Sequence, residues 1–147
     1  MKSNAGPRKI RTVLLIEDEE ALARGMIELL ERHEFTVIFV KTGAEAIGIP
    51  LEHKVDLVIT DIFMDGMDGL ETLMHFKRTF PKIPVIAVSA GSDKLGVDCL
   101  RMAQHLGADR TLRKPILIAP LLDAIRILEI DRSGRSIDPS SQTGSQE

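Results

Sequence analysis

The strongest constraint on the fold is a regular alternation of short apolar runs with stretches of helical periodicity. Four apolar runs, at residues 10–16, 35–40, 55–60 and 83–88, predict strands, and residues 109–112 predict a weaker fifth strand. Each is followed by a stretch in which apolar side chains recur every three or four positions, at 22–30, 42–49, 70–77, 95–106 and 117–130. Strands that alternate with helices are typical of a parallel sheet covered on both faces. The sequence therefore predicts an α/β fold with a doubly wound, five-stranded parallel sheet.

Single residues indicate where several of these helices begin and end. Thr42 is a suitable N-cap for the second helix, and Pro81 stops the third helix before it. Gly107 is a suitable C-cap for the fourth helix. Pro120 is tolerated in the first turn of the last helix.

The two ends of the 147-residue chain differ in composition from its middle. Apart from Met1, residues 1–9 are small, polar or basic, and they predict a flexible arm. Residues 131–147 are rich in Ser, Gly, Asp and Gln, with Ile137 as an isolated apolar residue. A segment of that composition buries too little apolar surface to offset its ordering entropy, so we expect a disordered tail. One compact domain is expected over residues 10–130.

Charge and composition exclude several classes of function. Residues 12–130 carry a net charge of −6, and the chain has no Trp or Tyr, so a nucleic-acid partner is not expected. The 17 residues after position 130 are too few for a DNA-binding helix-turn-helix. No apolar run approaches the ~20 residues of a membrane span. The single cysteine, Cys99, excludes an internal disulfide and fits a cytoplasmic location.

Polar side chains follow four of the predicted strands. Glu17 and Asp18 follow the first strand, Asp61 the third, Ser89 the fourth and Lys114 the fifth. Ligands of open parallel sheets bind outside the carboxyl ends of the strands. We therefore expect these side chains to form one site.

The residue types at this edge suit phosphoryl chemistry with a divalent cation. Clustered carboxylates repel one another, and Mg²⁺ relieves that repulsion through oxygen ligands. Asp61 is then placed to attack a phosphoryl group, with Lys114 pairing with its charge and Ser89 donating a hydrogen bond. Taken singly, each residue has a plainer interpretation: Asp61 as a helix cap, Ser89 as a turn residue and Lys114 as a surface charge. The acids that follow Asp18 suit a helix N-terminus.

The sequence resembles the receiver domain of two-component response regulators. The similarity covers roughly residues 10–130 and follows the family's order of motifs. It is carried by residues 14–19 (LLIEDE), 56–69 (DLVITDIFMDGMDG), 85–90 (VIAVSA) and 114–115 (KP).

The resemblance implies a role for each residue of the expected site. Asp61 would be the phosphoacceptor, and Asp18 and Asp61 would bind Mg²⁺ directly together with the backbone carbonyl of Phe63. Glu17 would assist through water, and Ser89 and Lys114 would sense the phosphate. The Lys114–Pro115 bond is usually cis in the family. The expected fold is flavodoxin-like with strand order 2-1-3-4-5.

Several positions depart from the common family pattern. Glu17 stands where many relatives have Asp, and Asp65 replaces a usual Pro. Thr111 stands where many relatives carry a switching aromatic residue. We therefore hypothesise that the signal passes through the loop 90–95 and the helix after it, with an ordinary variable loop as the equal alternative.

The function expected from the sequence is that of a single-domain response regulator. It would accept a phosphoryl group from a sensor histidine kinase or a histidine phosphotransfer protein. It would then signal to an unknown downstream protein, by altered binding or by onward transfer. It would not be an enzyme beyond Mg²⁺-dependent self-phosphorylation and autodephosphorylation.

Three other functions share features of this sequence. The main alternative is a degenerate receiver that binds its partner without phosphorylation. A dinucleotide-binding domain lacks its glycine-rich turn after the first strand. A dehalogenase-type phosphatase would need a second Asp where Phe63 stands.

Overall fold

The computed structural model describes residues 9–52, 54–62, 68–90 and 94–132. Strands and helices alternate along the chain in five βα pairs. They are β1 (Thr12–Ile16), α1 (Glu20–Arg32), β2 (Thr36–Val40), α2 (Gly43–Ile47), β3 (Leu57–Asp61), α3 (Asp68–Thr79), β4 (Val85–Ser89), α4 (Lys94–His105), β5 (Arg110–Arg113) and α5 (Ile118–Arg132). All strand pairs are parallel, and the order is β2-β1-β3-β4-β5. The predicted fold class and strand order are confirmed.

The alternation of side chains along each strand gives the sheet two separate apolar cores. On one face, Leu14, Val58 and Ala87 pack with residues of α2, α3 and α4. On the other face, Leu15 and Ile86 and their neighbours pack with α1 and α5. Both faces of the sheet are thus covered, which is the reason for its continuous apolar runs. In the described residues, no helix combines the length and the apolar composition that crossing a membrane requires.

Two predicted strand ends differ from those in the structure. The sequence places Asp61 and Ser89 after their strands, whereas each is the last residue of its strand. Backbone pairing continues past the apolar run: the Ile62 amide donates to the Val88 carbonyl at 2.9 Å, and the Lys114 amide donates to the Ser89 carbonyl at 2.9 Å. Neighbouring strands, not apolar content, therefore set these ends.

The fifth strand is shifted by one residue, to Arg110–Arg113 instead of 109–112. Asp109 acts as a connector before the strand. Its amide donates to the Val85 carbonyl at 2.8 Å, and its Oδ2 accepts from the Val85 amide at 2.8 Å.

The helix-end predictions are largely confirmed. Thr42 forms a capping box with Glu45, although α2 ends at Ile47, before the predicted end at 49. Gly107 follows α4 with φ +109°, a conformation that favours glycine. The last helix extends through Arg132, so the first two residues of the predicted tail 131–147 are helical. Residues 1–8 of the predicted arm and residues 133–147 of the tail lie outside the described residues.

Two carboxylates secure the start of β1 at the edge of the sheet opposite the predicted site. Asp56 Oδ2 accepts from the amides of Arg11 and Thr12, each at 2.9 Å. Glu129 Oε2, near the end of α5, accepts from the Ile10 amide at 2.8 Å. These bonds satisfy backbone donors at the start of the strand.

Candidate functional site

The half-buried Lys114 lies between two buried carboxylates at the carboxyl edge of the sheet. Lys114 Nζ is 2.8 Å from Glu17 Oε1 and 3.0 Å from Asp61 Oδ2. Glu17 and Asp61 are only 6% and 5% exposed. Three predicted site residues from three different strand ends are thus in direct contact. The sequence did not predict that Lys114 would contact both carboxylates.

The main chain fixes these side chains from both sides. The Glu17 amide donates to the Val40 carbonyl at 3.2 Å, so the residue extends the β1–β2 pairing. Glu17 Oε2 accepts from the Glu19 amide at 3.1 Å, which orients the carboxylate. Lys114 is held through the carbonyl of Ser89, and the Lys114–Pro115 bond is cis, as the resemblance implies.

The electrostatics of this cluster follow from its burial. Burial raises the pKa of Glu17 above its usual value, and the Lys114 ammonium offsets this only in part. Burial alone would lower the pKa of Lys114, but its hydrogen bonds to Glu17 and Asp61 outweigh that effect and raise the pKa. Lys114 is therefore charged at neutral pH. Its stabilising contribution is present below the ordinary lysine pKa of 10.5 and is lost as pH rises through the raised pKa.

Lys114→Met is expected to destabilise the chain by about 2 kcal/mol at neutral pH, because it leaves two buried carboxylates without their cation. Proton uptake by Glu17 relieves part of the ~3–5 kcal/mol that breaking a buried ion pair otherwise costs. As pH falls, Glu17 is protonated more fully and the loss shrinks. Urea unfolding of both proteins at neutral and at mildly acidic pH measures the difference.

Lys41→Met is the matched control for this variant. Lys41 Nζ pairs with Glu20 Oε2 at 3.1 Å, but both side chains are more than half exposed. We expect no measurable loss there, since solvent screens such pairs. A loss in Lys114→Met that stays constant with pH would contradict the role of the two carboxylates.

Three acids form a group that could hold a metal ion. Glu17, Asp18 and Asp61 each offer a carboxylate oxygen, and these oxygens lie within 4.8 Å of one another. Asp18 is exposed whereas the other two are buried, so the group opens to solvent on the Asp18 side. An all-oxygen donor set of this kind suits Mg²⁺. Phe63, which the resemblance implies as a backbone ligand, lies outside the described residues.

Ser89 lies at the same edge and is fully buried. It follows Val88, which is the register partner of Asp61 in the neighbouring strand. Its Oγ has a long contact, 3.5 Å, with the carbonyl of Ala90. The structure thus brings Ser89 to the strand end beside Asp61, as predicted.

Thr111 is half-buried, and its Oγ1 accepts from Gln104 Nε2 of α4 at 3.4 Å. The position therefore carries a small polar contact to α4 instead of a large side chain. In the loop 90–95 that we hypothesise to carry the signal, residues 91–93 lie outside the described residues, as does Asp65.

An apolar cavity of about 240 Å³ adjoins the charged cluster. Leu22, Met26 and Leu29 of α1 line it, together with Pro115 and Ile116 after β5. The spacing of Leu22, Met26 and Leu29 predicts one apolar face of a helix, but Leu22 is 45% exposed. The α1 stripe is thus only partly buried, because α1 does not close completely over the sheet edge beside Asp61.

Comparison with known proteins agrees with the fold. The family model described as the response regulator receiver domain matches residues 13–126. The probable C4-dicarboxylate response regulator DctR of Priestia megaterium is 34% identical over 120 residues, which cover 80% of this chain and 51% of DctR. The transcriptional regulatory protein CpxR of Escherichia coli K12 is 32% identical over 116 residues, covering 79% of this chain and 48% of CpxR.

A solved structure shows the same likeness. The response regulator receiver domain protein from Clostridium thermocellum has a TM-score of 0.74 and 30% identity, covering 84% of this chain and 96% of that one. The chain thus spans nearly all of a solved receiver domain but about half the length of DctR and CpxR. On the extent of the family match and on these identities, the chain belongs to the response regulator receiver domains of two-component signalling.

Proposed function

We propose that this chain accepts a phosphoryl group on Asp61 and signals through the phosphorylated state. The observation that carries the proposal is the contact of Lys114 Nζ with Asp61 Oδ2 at 3.0 Å, inside a buried, acid-lined edge. Receiver domains are phosphorylated by histidine kinases. The proposed donor is a sensor histidine kinase or a histidine phosphotransfer protein in the cytoplasm.

In the proposed step, a carboxylate oxygen of Asp61 attacks the phosphorus of a phosphohistidine. The new O–P bond forms as the P–N bond breaks, and the electron pair of that bond returns to the imidazole nitrogen. Lys114 balances the charge of the transferred group, and the Ser89 hydroxyl donates to one of its oxygens. A Mg²⁺ ion held by Asp18 and Asp61 would neutralise charge on the phosphoryl oxygens.

The cluster also suggests a more specific role for Glu17. Both of its carboxylate oxygens are already engaged, Oε1 by Lys114 and Oε2 by the Glu19 amide. A residue held in this way suits indirect assistance to the metal through water better than direct ligation. It also keeps Lys114 at the site before any phosphate arrives.

Labelling of the full chain tests the proposal. Incubation with Mg²⁺ and phosphoramidate, whose P–N bond resembles that of phosphohistidine, is expected to add one phosphoryl group per chain. The product should be stable in acid and labile in base, as an acyl phosphate is. A chain that takes up no label would instead support a receiver that binds its partner unphosphorylated.

Asp18→Ala is expected to weaken Mg²⁺ binding by about tenfold or more, since it removes a direct ligand. A Mg²⁺ titration followed by calorimetry or by amide chemical shifts measures the change. Glu19→Ala is the matched control, because Glu19 is exposed and lies outside the three-acid group. Equal Mg²⁺ affinity in wild type and Asp18→Ala would refute the assignment of Asp18.

A further inference from the structure

The apolar cavity between α1 and the segment after β5 takes no part in the proposed phosphoryl transfer. Side chains of the sheet, of α1 and of residues 115–116 line its apolar part, and Glu17, Asp61 and Lys114 line its charged end. We infer that this cavity binds a small primary amine with an apolar tail, and that the amine competes with Mg²⁺ for the acids at the charged end. The competition rests on the proposed function, because it requires the Mg²⁺ site, whereas insertion of the tail does not.

The cavity has room for the tail. Its volume of about 240 Å³ exceeds the roughly 150 Å³ that is sufficient for benzene in an apolar cavity. Gly25 lies one turn after Leu22 and one turn before Leu29 on the same face of α1, and all three residues line the cavity. A Cβ at Gly25 would meet no atom within 4 Å, so the missing side chain leaves open space between the two leucines. A phenyl ring or a short alkyl chain fits such a space.

The charged end of the cavity matches the hydrogen-bonding geometry of an ammonium group. Carboxylate oxygens of Glu17, Asp18 and Asp61 lie within 4.8 Å of one another. An ammonium nitrogen has three donors, and hydrogen bonds of about 2.8 Å from it span oxygens roughly 4.6 Å apart. A carboxylate oxygen accepts more than one hydrogen bond, so the contacts of Lys114 stay in place. Mg²⁺ requires the same oxygens, and the two cations therefore exclude each other.

The charges around the cavity favour a cationic head group. Among the described side chains, those that are charged and exposed on α1 and beside it cancel in number: they are Glu19, Glu20, Glu28 and Glu31 against Arg24, Arg32, Lys41 and Arg113. On α5, Asp123 is paired with Arg126. The sign of the local charge is therefore set by the three-acid group, of which Lys114 balances one carboxylate. Such a field attracts an ammonium group and repels a carboxylate on the same tail.

The test is a titration of phenylbutylamine into the full chain in Mg²⁺-free buffer, followed by amide chemical shifts. We expect saturable shifts at residues 15–29 and 114–116, with a dissociation constant in the millimolar range that is typical of a ligand of this size. Mg²⁺ at ten times its own dissociation constant should raise that of the amine about tenfold. Sodium chloride at equal ionic strength should raise it no more than about twofold.

Phenylbutanol carries the same tail without the charge. We expect it to bind about tenfold more weakly, because hydrogen bonds to charged groups are stronger, and to show no response to Mg²⁺. Equal binding of the alcohol, tighter binding of phenylbutanoate, or an affinity for the amine that Mg²⁺ leaves unchanged would overturn the inference.

Gly25→Leu is expected to raise the dissociation constant of the amine about tenfold or more, because its side chain fills the space for the tail. Its Mg²⁺ affinity should stay within about twofold of wild type, since Gly25 lies outside the three-acid group. Gly48→Leu is the matched control: Gly48 is exposed after α2, outside the cavity, and a Cβ there would make only an ordinary contact. Circular dichroism confirms that both variants are folded.

An equal loss of amine binding in the two leucine variants, or unchanged binding to Gly25→Leu, would contradict the placement of the tail in the cavity. No measurement in this series uses a phosphoryl group. Amine binding is therefore scored separately from the labelling of Asp61, and either result can fail without the other.

Discussion

Asp61→Asn is expected to abolish phosphorylation of the chain. An amide oxygen carries no full negative charge and does not displace the phosphohistidine nitrogen, so no acyl phosphate forms. Asn keeps the size of the side chain, and the buried strand end that holds it is otherwise unchanged. Phosphate-affinity electrophoresis after incubation with Mg²⁺ and phosphoramidate measures the labelled fraction.

Asp123→Asn is the matched control for this prediction. Asp123 is exposed on α5, where it pairs with Arg126, and it lies outside the three-acid group. We expect labelling at the wild-type level. If Asp61→Asn were labelled as fully as wild type, another residue would be the acceptor and the proposed function would have the wrong site.

Gly69→Ala is expected to destabilise the fold by about 3 kcal/mol or more, because a side chain does not fit there. A Cβ at Gly69 would overlap Ile62 Cα and would lie 2.6 Å from the Ile62 carbonyl carbon and oxygen. These are backbone atoms, next to Asp61 in the chain, and they cannot rotate away as a side chain does. Urea unfolding measures the loss, and labelling of the surviving folded protein should also slow.

Gly25→Ala is expected to stabilise the fold, in contrast to Gly69→Ala. Gly25 is exposed in α1, and a Cβ there would meet no atom within 4 Å. Alanine favours the helix and restricts the unfolded chain, so the variant should be more stable by about 0.5–1 kcal/mol. Equal stability changes in the two alanine variants would contradict the close approach at Gly69.

Much of the fold could be predicted because each βα unit carries its own local pattern. The apolar runs are buried on both faces, and Thr42 and Gly107 mark helix ends through local chemistry. Strand ends were less predictable, as Asp61 shows. It extends β3 because the strand beside it offers backbone partners, and single-sequence periodicity does not report such partners.

The residues that form the site could be predicted from the strand ends, but the contacts between their side chains could not. The order of the strands brings Glu17, Asp61 and Lys114 to one edge whatever their rotamers. Which carboxylate Lys114 contacts depends on side-chain length and on burial. The contact at 2.8 Å between Lys114 and Glu17 depends on the longer side chain of Glu. In the sequence alone, Glu at a position where many relatives have Asp is only a conservative difference.

The bond between Glu129 and the Ile10 amide has a practical consequence for experiments. It places the last turn of α5 beside the start of β1, at the edge of the sheet farthest from Asp61. A chain tethered to a biosensor surface near either of these points therefore presents its acidic edge to the solution. The same proximity makes a circular permutant feasible, in which a short linker joins α5 to β1 and the new termini are placed in another loop.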